Sequence, residues 1–365
     1  MNTIKFLFLF FTLTHLSYTL RSQTLDLYTK DSLALVEIDS IVQYHVDEQQ
    51  FSGVIMLAEK GEIAYMKSAG WKYLRDGSII DYHTCFSIAS VTKMVTSIII
   101  MQMDNEGLIS INDPVSKWLP ELNIPNGHKI HIHHLLLHIS GLPNEPQSLY
   151  LQKYSPKKFV EICLDNQEVG EINEFNYSNI DYVLLGLIIE KIHRKSWEEV
   201  VNQRIIYPLN LDQTGFLSKD FQPDNYAFTY QITKENSLIA DPEFHIENFY
   251  AAGKMFSNIH DLLKLDQAMY DTVFLPLENR KKMFTSYPEY NYSGYGVWTY
   301  RYPFVDGSPL VMERRGGILG ANVVLLRLLD TRKTIIILSN NNKFQPDSFG
   351  DPHNLREALL RIWAK

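Results

Sequence analysis

A serine and a lysine stand three residues apart, as Ser90 and Lys93, at the start of a strongly apolar stretch. A serine hydroxyl is a weak nucleophile near neutral pH. It needs a neighbouring base, and the oxyanion that its attack creates needs hydrogen-bond donors. On a helix this spacing places both side chains on one face, and burial lowers the pKa of a lysine, which suits it to be a base. The pair predicts nucleophilic acyl chemistry, with an exposed serine beside a solvent-seeking lysine as the structural alternative.

The same spacing occurs again at Ser155 and Lys158, where it predicts a structural feature instead. Pro156 follows the serine directly, and a helical pattern comes next. Serine at a helix N-cap with proline at the first helical position is a common way to start a helix. The second occurrence therefore shows that the spacing alone is weakly specific.

Tyr177 and Asn179 form a second candidate group, in a short segment just before another apolar helical pattern. A phenol beside a lysine ammonium can titrate at lower pH and relay a proton. The amide of Asn179 can hold a substrate amide, although an asparagine here would also cap the next helix. The group predicts proton transfer and substrate binding, with helix capping left open.

A third group, Arg314-Arg315-Gly316-Gly317, adjoins a β-type run. Two glycines at a strand edge let a substrate backbone come close, and guanidinium groups bind carboxylates. A turn with exposed charge would have the same composition. Because side chains alternate along a strand, the two arginines are expected on opposite faces, and Arg314 is predicted to face the site.

The order of these three groups resembles that of the serine β-lactamase and penicillin-binding-protein family. Four segments carry the resemblance: 86–93, with Ser90 and Lys93; 133–143, with the sequence HHLLLHISGLP; 176–186, which contains Tyr177; and 252–265. The resemblance as a whole covers about residues 32–363. Tyrosine at the start of the second group makes the chain more similar to class C β-lactamases and their esterase and D-peptidase relatives.

The resemblance implies a role for each of these residues. Ser90 would attack a carbonyl and become acylated, while Lys93 and Tyr177 share proton transfer. Backbone N–H groups of Ser90 and Gly317 would form the oxyanion hole, and water would then release the acyl group. The substrate-binding residues would be Asn179, Arg314, Gly316 and Gly317.

One departure concerns Arg314, since the family usually has lysine or histidine at this position. Arginine does not readily lose a proton, so a proton-shuttling role is not expected for it. A carboxylate-binding role is expected instead.

The elements that must position these residues indicate an α+β fold. Strand patterns occur near the start of the chain, at 53–58 and 62–69, and near its end, at 296–300, 321–329 and 334–338. The middle, about 130–270, is mostly helical. Strands from both chain ends can join one antiparallel sheet flanked by helices, with the helical middle as a large insertion. Helices are expected at 31–46, 89–103, 180–192, 259–269 and 354–363.

The start of the chain has the pattern of a secretory signal peptide. Lys5 precedes an apolar run at 6–13, which is too short and wrongly flanked for a good transmembrane helix. The expected division is a signal peptide at 1–22 and a single hydrolase domain at 23–365, with an uncleaved anchor as the alternative. A periplasmic or secreted protein is expected, without a stable membrane span once the signal is removed.

Composition and spacing also bear on partners and cofactors. The formal net charge of -8 argues against nucleic acid, because phosphate binding requires a basic face. His134 and His138 have a spacing that suits zinc, but no His-Glu-x-x-His occurs, and no metal or other cofactor is predicted. Cys85 and Cys163 are expected to be buried thiols, with a disulfide as the alternative.

The prediction is a serine hydrolase that acts through a Ser90 acyl-enzyme on an amide, ester or β-lactam bond, of D-peptidase or esterase type. Its substrate is expected to be a small-molecule or peptide acyl compound. Two alternatives stay open. One is a binding protein, similar to a penicillin sensor, that binds or is acylated without turnover; the other is a catalytically inactive relative.

Overall fold

The computed structural model of the chain describes residues 22–24, 33–165, 168–235 and 237–365. The predicted signal peptide lies outside these residues except for Ser22, so it stays a prediction. Among the described residues, no helix is both long enough and apolar enough to cross a membrane.

Strands are concentrated in the first and last parts of the chain, and helices in the middle. In chain order the strands are β1 (Ser22–Thr24), β2 (Gly53–Glu59), β3 (Glu62–Ala69), β4 (Trp71–Tyr73), β5 (Ser78–Ile79), β6 (Phe86–Ser87), β7 (Gly215–Phe216), β8 (Tyr230–Ile232), β9 (Leu238–Ala240), β10 (Met255–Ser257), β11 (Trp298–Arg301), β12 (Leu310–Ile318), β13 (Ala321–Leu328) and β14 (Lys333–Ser339). The α-helices are α1 (Leu33–Asp47), α2 (Val91–Asn105), α3 (Val115–Trp118), α4 (Ile132–Leu137), α5 (Pro156–Leu164), α6 (Asn179–His193), α7 (Trp197–Val201), α8 (Tyr207–Leu209), α9 (Ile259–Ala268), α10 (Leu277–Phe284) and α11 (Leu355–Trp363). Short 3-10 helices lie at Gln147–Leu151, Ile246–Ala252 and Pro288–Tyr290, and a π-helical turn lies at Asn202–Ile206.

Strands from both chain ends form the main sheet. Within the described residues its order is β1-β3-β2-β14-β13-β12-β11, and every neighbouring pair is antiparallel. The join between the two ends is the pairing of β2 with β14, in which Gly53 lies opposite Ser339. This arrangement confirms the predicted α+β fold with its helical insertion.

The two faces of the sheet pack against different helices because side chains alternate along each strand. On β14, Ile335 and Ile337 belong to the core beneath α1 and α11. Ile336 and Leu338, which point the other way, belong to the larger core around α2 and α6. The long helix α2 is buried along nearly its whole length, as its apolar composition predicts.

Several short strands were not expected from the sequence. The most important are β6, β10 and β7, which form a small antiparallel sheet beside the start of α2. Strands of two or three residues are too short to show an alternating pattern, and their partners lie far away in the chain. This small sheet holds the segment that leads into Ser90.

Candidate active site

Ser90 stands at a sharp turn between a strand and the buried helix α2. The strand β6 pairs with β10, and Ile88 N–H donates a hydrogen bond to Met255 O at 3.0 Å. Ala89 then adopts a left-handed conformation with φ of 45°, which is costly for a residue other than glycine. Ser90 is the N-cap residue of α2, yet its side chain makes no capping hydrogen bond. Its hydroxyl is therefore free for other partners.

The second Ser-x-x-Lys segment behaves differently. Ser155 caps α5, and its hydroxyl accepts a hydrogen bond from Lys158 N–H at 3.3 Å. Pro156 occupies the first turn of that helix, which confirms the structural interpretation of this segment. The two occurrences share their spacing but not their environment.

Lys93 is fully buried beside Ser90, with 0% of its surface exposed. Its ammonium donates to Ser90 Oγ at 3.2 Å, to Asn179 Oδ1 at 2.6 Å and to the backbone oxygen of Ala252 at 2.9 Å. Burial lowers the pKa of Lys93, and the nearby charge of Arg314 lowers it further, against an opposing effect of Tyr177. A lower pKa increases the fraction of lysine that is neutral, and only the neutral amine can accept a proton from the serine.

Tyr177 contacts the same serine from the other side. Its hydroxyl donates to Ser90 Oγ at 2.9 Å and accepts from Arg314 Nη2 at 2.7 Å. Burial on its own would raise the pKa of Tyr177, but the charges of Arg314 and Lys93 outweigh it and lower that pKa to about 8. A phenol with this pKa is partly ionised near neutral pH and can exchange a proton with Ser90.

Asn179 begins helix α6 and faces the same cluster. Its Oδ1 accepts from Lys93, which fixes the orientation of the amide, and its Nδ2 donates to Glu145 Oε1 at 2.7 Å. The side chain of Asn144 holds the segment 177–179 in place. It accepts a hydrogen bond from Asn179 N–H at 3.1 Å and donates one to Tyr177 O at 3.2 Å. These contacts hold the Asn179 amide beside Lys93, which also contacts Ser90.

Asn144 and Glu145 are functional candidates that the sequence reasoning missed. They directly follow the segment 133–143, whose resemblance to the family was noted, so their position in the chain was an available signal. Glu145 also accepts a hydrogen bond from Tyr150. Its contact with Asn179 joins two distant segments, which spacing alone does not reveal.

A buried polar cluster lies beneath Tyr177. The rings of His138 and Tyr177 are 4.4 Å apart, and His138 Nδ1 lies 3.2 Å from Asp181 Oδ2. Ser140 donates to the other carboxyl oxygen of Asp181 at 2.5 Å. Burial raises the pKa of Asp181 well above its usual range and lowers that of His138 well below its own. Burial therefore favours the neutral form of both groups.

Arg314 lies on β12 and is almost fully buried, with 1% of its surface exposed. Its Nε donates to Ser90 O at 2.8 Å, and its Nη2 donates to the Tyr177 hydroxyl. Arg315 points to the other face, where it forms ion pairs with Glu313 and Asp347. Arg314, predicted to face the site, therefore lies on the side of β12 that contacts Ser90 and Tyr177, and Arg315 lies on the other side.

Gly316 and Gly317 bring β12 against the start of α2. A Cβ atom on Gly316 would stand 2.6 Å from Ile88 O and 3.0 Å from Ser90 N, closer than side chains approach a backbone. On Gly317 the nearest heavy atom to such a Cβ is Asn322 Oδ1, at 3.4 Å, which is an ordinary contact. Only the first glycine is therefore required by the close approach. The second lies exposed at the site's edge.

A sequence model of the beta-lactamase family matches residues 38–360, which is most of the chain. The chain belongs to the beta-lactamase family. A penicillin-binding protein of Bacillus subtilis (strain 168) is 27% identical over 320 residues, which cover 81% of this chain and 70% of that protein.

Protein flp of Staphylococcus aureus is 28% identical to this beta-lactamase family member over 231 residues. These cover 60% of the chain and 46% of flp, so the match spans about half the length of that relative. Among solved structures, the D-amino acid amidase from Ochrobactrum anthropi SV3 superimposes with a TM-score of 0.77 at 23% identity, covering 91% of this chain and 97% of the amidase. The superposition establishes a shared fold.

The remaining sequence predictions concern metal sites and cysteines of this family member. Over the described residues, no group of three or more His, Cys, Asp or Glu side chains is arranged to hold a metal ion. His134 Nδ1 accepts a hydrogen bond from His131 N–H at 2.8 Å, while His138 contacts Asp181. Cys85 and Cys163 are both buried and both free, so the disulfide alternative is wrong.

Proposed function

We propose that this chain is a serine hydrolase that forms an acyl-enzyme at Ser90. The observation that carries the proposal is the position of Ser90 Oγ, which lies 3.2 Å from Lys93 Nζ and 2.9 Å from the Tyr177 hydroxyl. Both of these neighbours have a lowered pKa, which increases the fraction of each that has lost its proton and can accept the one from Ser90. Asn179 is held beside them by Lys93 and Glu145.

Acylation would begin when ionised Tyr177, or neutral Lys93, removes the proton from Ser90 Oγ. The oxygen attacks the substrate carbonyl, and the carbonyl oxygen becomes an oxyanion near the backbone N–H groups of Ser90 and Gly317. When the tetrahedral intermediate collapses, its bond to the leaving group breaks, and the leaving group takes the proton back. Water repeats these steps on the ester and releases the acid.

Arg314 has a different role in this scheme from the carboxylate binding expected of it. Both of its hydrogen bonds, to Ser90 O and to the Tyr177 hydroxyl, are to the catalytic residues themselves. A permanent positive charge at this point stabilises the phenolate form of Tyr177. We infer that Arg314 keeps Tyr177 available as a base. Because its guanidinium already donates to these two groups, few of its N–H donors are left to bind a substrate carboxylate.

The bond that is cleaved and the place of action are also part of the proposal. Amides, esters and β-lactams all suit an acyl-enzyme mechanism, and the D-amino acid amidase with the same fold is named for amide substrates. We further propose a signal peptide at 1–22, a catalytic domain at 23–365 and a periplasmic or secreted location.

A penicillin-sensor-like protein is the second candidate, because a relative that covers most of the chain is named a penicillin-binding protein. In that case the first half of the mechanism would run with a β-lactam, and the acyl-enzyme would persist. The two candidates differ only in deacylation, so one experiment separates them.

The test is intact-protein mass spectrometry after separate incubation with a fluorophosphonate, a penicillin and p-nitrophenyl acetate. Ser90→Ala is the inactive variant, and Ser155→Ala is the matched control from the other Ser-x-x-Lys segment. We expect an adduct in the wild type and in Ser155→Ala, none in Ser90→Ala, and rapid release of p-nitrophenol.

A penicillin adduct that lasts, without ester turnover, would favour the sensor. Labelling that persists in Ser90→Ala, or no labelling of the wild type by any reagent, would contradict the proposed nucleophile.

A further inference from the structure

A large cavity lies beside the proposed nucleophile and has no part in the mechanism described so far. Its volume is about 540 Å³, within the range typical of small-molecule sites. It is enclosed by the segments 73–75, 217–230 and 240–246 together with the ends of β12 and β13. Aromatic and aliphatic side chains dominate the wall, among them Tyr73, Leu217, Tyr226, Phe228, Phe244 and Ile318.

The cavity begins next to the catalytic strand. Gly316 touches the backbone of Ser90, and Ile318, two residues further along β12, already belongs to the cavity wall. A strand advances roughly 3.3 Å per residue, so about 7 Å of strand separates the two. Ser87, three residues before Ser90, lines the same cavity. A substituent of a few carbon atoms on a carbonyl at Ser90 would reach it.

Charged residues in the wall offset one another. Lys219 forms an ion pair with Glu243 at 3.2 Å. Asp241 accepts hydrogen bonds from Gly320 N–H at 2.8 Å and from Gln231 Nε2 at 3.0 Å. Arg75 lies over the ring of Tyr73, 5.9 Å from its centroid. With two basic and two acidic side chains, the wall has no excess of either sign that would select a charged ligand.

One polar group in the wall is not satisfied by the protein. The hydroxyl of Ser87 is buried and has no hydrogen-bond partner among the described residues. The hydroxyl itself is almost inaccessible, so the accessible wall is mainly apolar surface.

We propose that this cavity binds the acyl part of the substrate and selects an uncharged, apolar acyl group, either an alkyl chain of several carbons or an aryl group. The inference rests on the proposed function and names the substrate class for that same site. A cavity of about 150 Å³ is enough for a benzene ring, so the volume here admits groups considerably larger than acetyl.

The test uses p-nitrophenyl esters that share a leaving group and differ in acyl length: acetate, butanoate, hexanoate and octanoate. Each methylene that leaves water for an apolar site contributes roughly a fourfold gain in affinity. Because burial in an open cavity is partial, we expect kcat/KM to rise at least tenfold from acetate to hexanoate.

A matched pair of variants on β9 localises the effect. Ala240 lines the cavity, whereas Ile239 does not, and adjacent strand residues point to opposite faces. Ala240→Trp is expected to reduce the ratio of hexanoate to acetate turnover at least fivefold. Ile239→Trp is expected to keep the wild-type ratio. Ser218→Phe, on another wall, should repeat the effect of Ala240→Trp.

The outcomes distinguish this inference from the function on which it rests. Equal kcat/KM across the esters, with normal acetate turnover, overturns the acyl cavity and leaves the hydrolase intact. The acyl cavity is also overturned if Ala240→Trp and Ile239→Trp change the ratio of hexanoate to acetate turnover alike. Absence of both acetate turnover and fluorophosphonate labelling at Ser90 overturns the hydrolase and this inference together.

Discussion

Replacing Arg314 by glutamine should move the pH dependence of catalysis. The guanidinium donates a hydrogen bond to the Tyr177 hydroxyl at 2.7 Å, and its charge helps to lower the pKa of Tyr177 to about 8. Two unit charges about 4 Å apart interact by roughly 4 kcal/mol at the effective dielectric constant typical of protein sites. One pKa unit corresponds to about 1.4 kcal/mol, so even part of this energy has a large effect.

The sign follows from the form of Tyr177 that acts as a base. The phenolate exists above the pKa of Tyr177, so activity should rise as pH rises through that value. Without Arg314 the phenolate forms only at higher pH, and we expect the acid limb of kcat/KM to move up by roughly one to two pH units. Arg314 also lowers the pKa of Lys93, so the limb moves in the same direction if the amine is the base.

The assay is p-nitrophenyl acetate hydrolysis from pH 5.5 to 10, with Ser90→Ala subtracted as the blank. At pH 7, Arg314→Gln should be about 10- to 100-fold slower than the wild type, and the difference should shrink as pH rises. Arg314→Lys keeps the charge and should keep most of the wild-type profile. Arg315→Gln removes an equal charge from the opposite face of β12 and should leave the limb unmoved.

An unchanged acid limb in Arg314→Gln would refute the electrostatic role of Arg314. Equal displacement of the limb in Arg315→Gln would show that overall charge, rather than the contact with Tyr177, controls the profile.

Three further predictions concern packing and buried groups. Gly316→Ala should reduce kcat/KM at least 100-fold, because its methyl group would stand 2.6 Å from a backbone oxygen. Gly317→Ala should stay within tenfold of the wild-type kcat/KM. Comparable losses in both variants would contradict the close approach of Gly316 to the start of α2. Burial raises the pKa of Asp181, so this carboxyl ionises at lower pH in the unfolded chain than in the folded one, and the fold loses stability as pH rises from the unfolded towards the folded pKa. Asp181→Asn should therefore match or exceed wild-type stability in urea at pH 7, and a loss above about 2 kcal/mol would contradict this burial cost. Burial raises the pKa of the Cys85 and Cys163 thiols to about 12. Iodoacetamide at pH 8 should therefore label neither thiol in the native protein and both thiols in urea. Labelling in urea that appears only after reduction would instead reveal a disulfide.

The sequence was most informative where the chemistry is local. Ser90 and Lys93 share one helical turn, and Tyr177 and Asn179 lie within three residues, so their spacing could be interpreted without knowledge of the fold. The alternation of β12 was enough to separate Arg314 from Arg315. The resemblance of four segments to one family supplied the expectation that these distant groups come together in one site.

What the sequence did not reveal depends on contacts between distant segments. Glu145 acquires a role only because α6 brings Asn179 to within 2.7 Å of its carboxylate. Carboxylate binding was expected for Arg314, but the sequence did not show that packing of β12 against α2 buries its guanidinium beside Ser90 and Tyr177. The acyl cavity is formed by three separated segments, none of which has a distinctive pattern of its own.

The pairing of β2 with β14 has a consequence for how the molecule folds. Gly53 meets Ser339 across this pair, so the sheet closes only after almost the entire chain is available. Contacts of such long sequence separation form slowly, because the entropy of a large loop is lost before the contact stabilises the chain. The stretch from α2 to α10 can form its local helices earlier, but Arg314 and Gly316 reach Ser90 only with the closing sheet. A partly folded chain would hold the serine and lysine without their strand, and hydrolytic activity should therefore be the last property to appear during refolding.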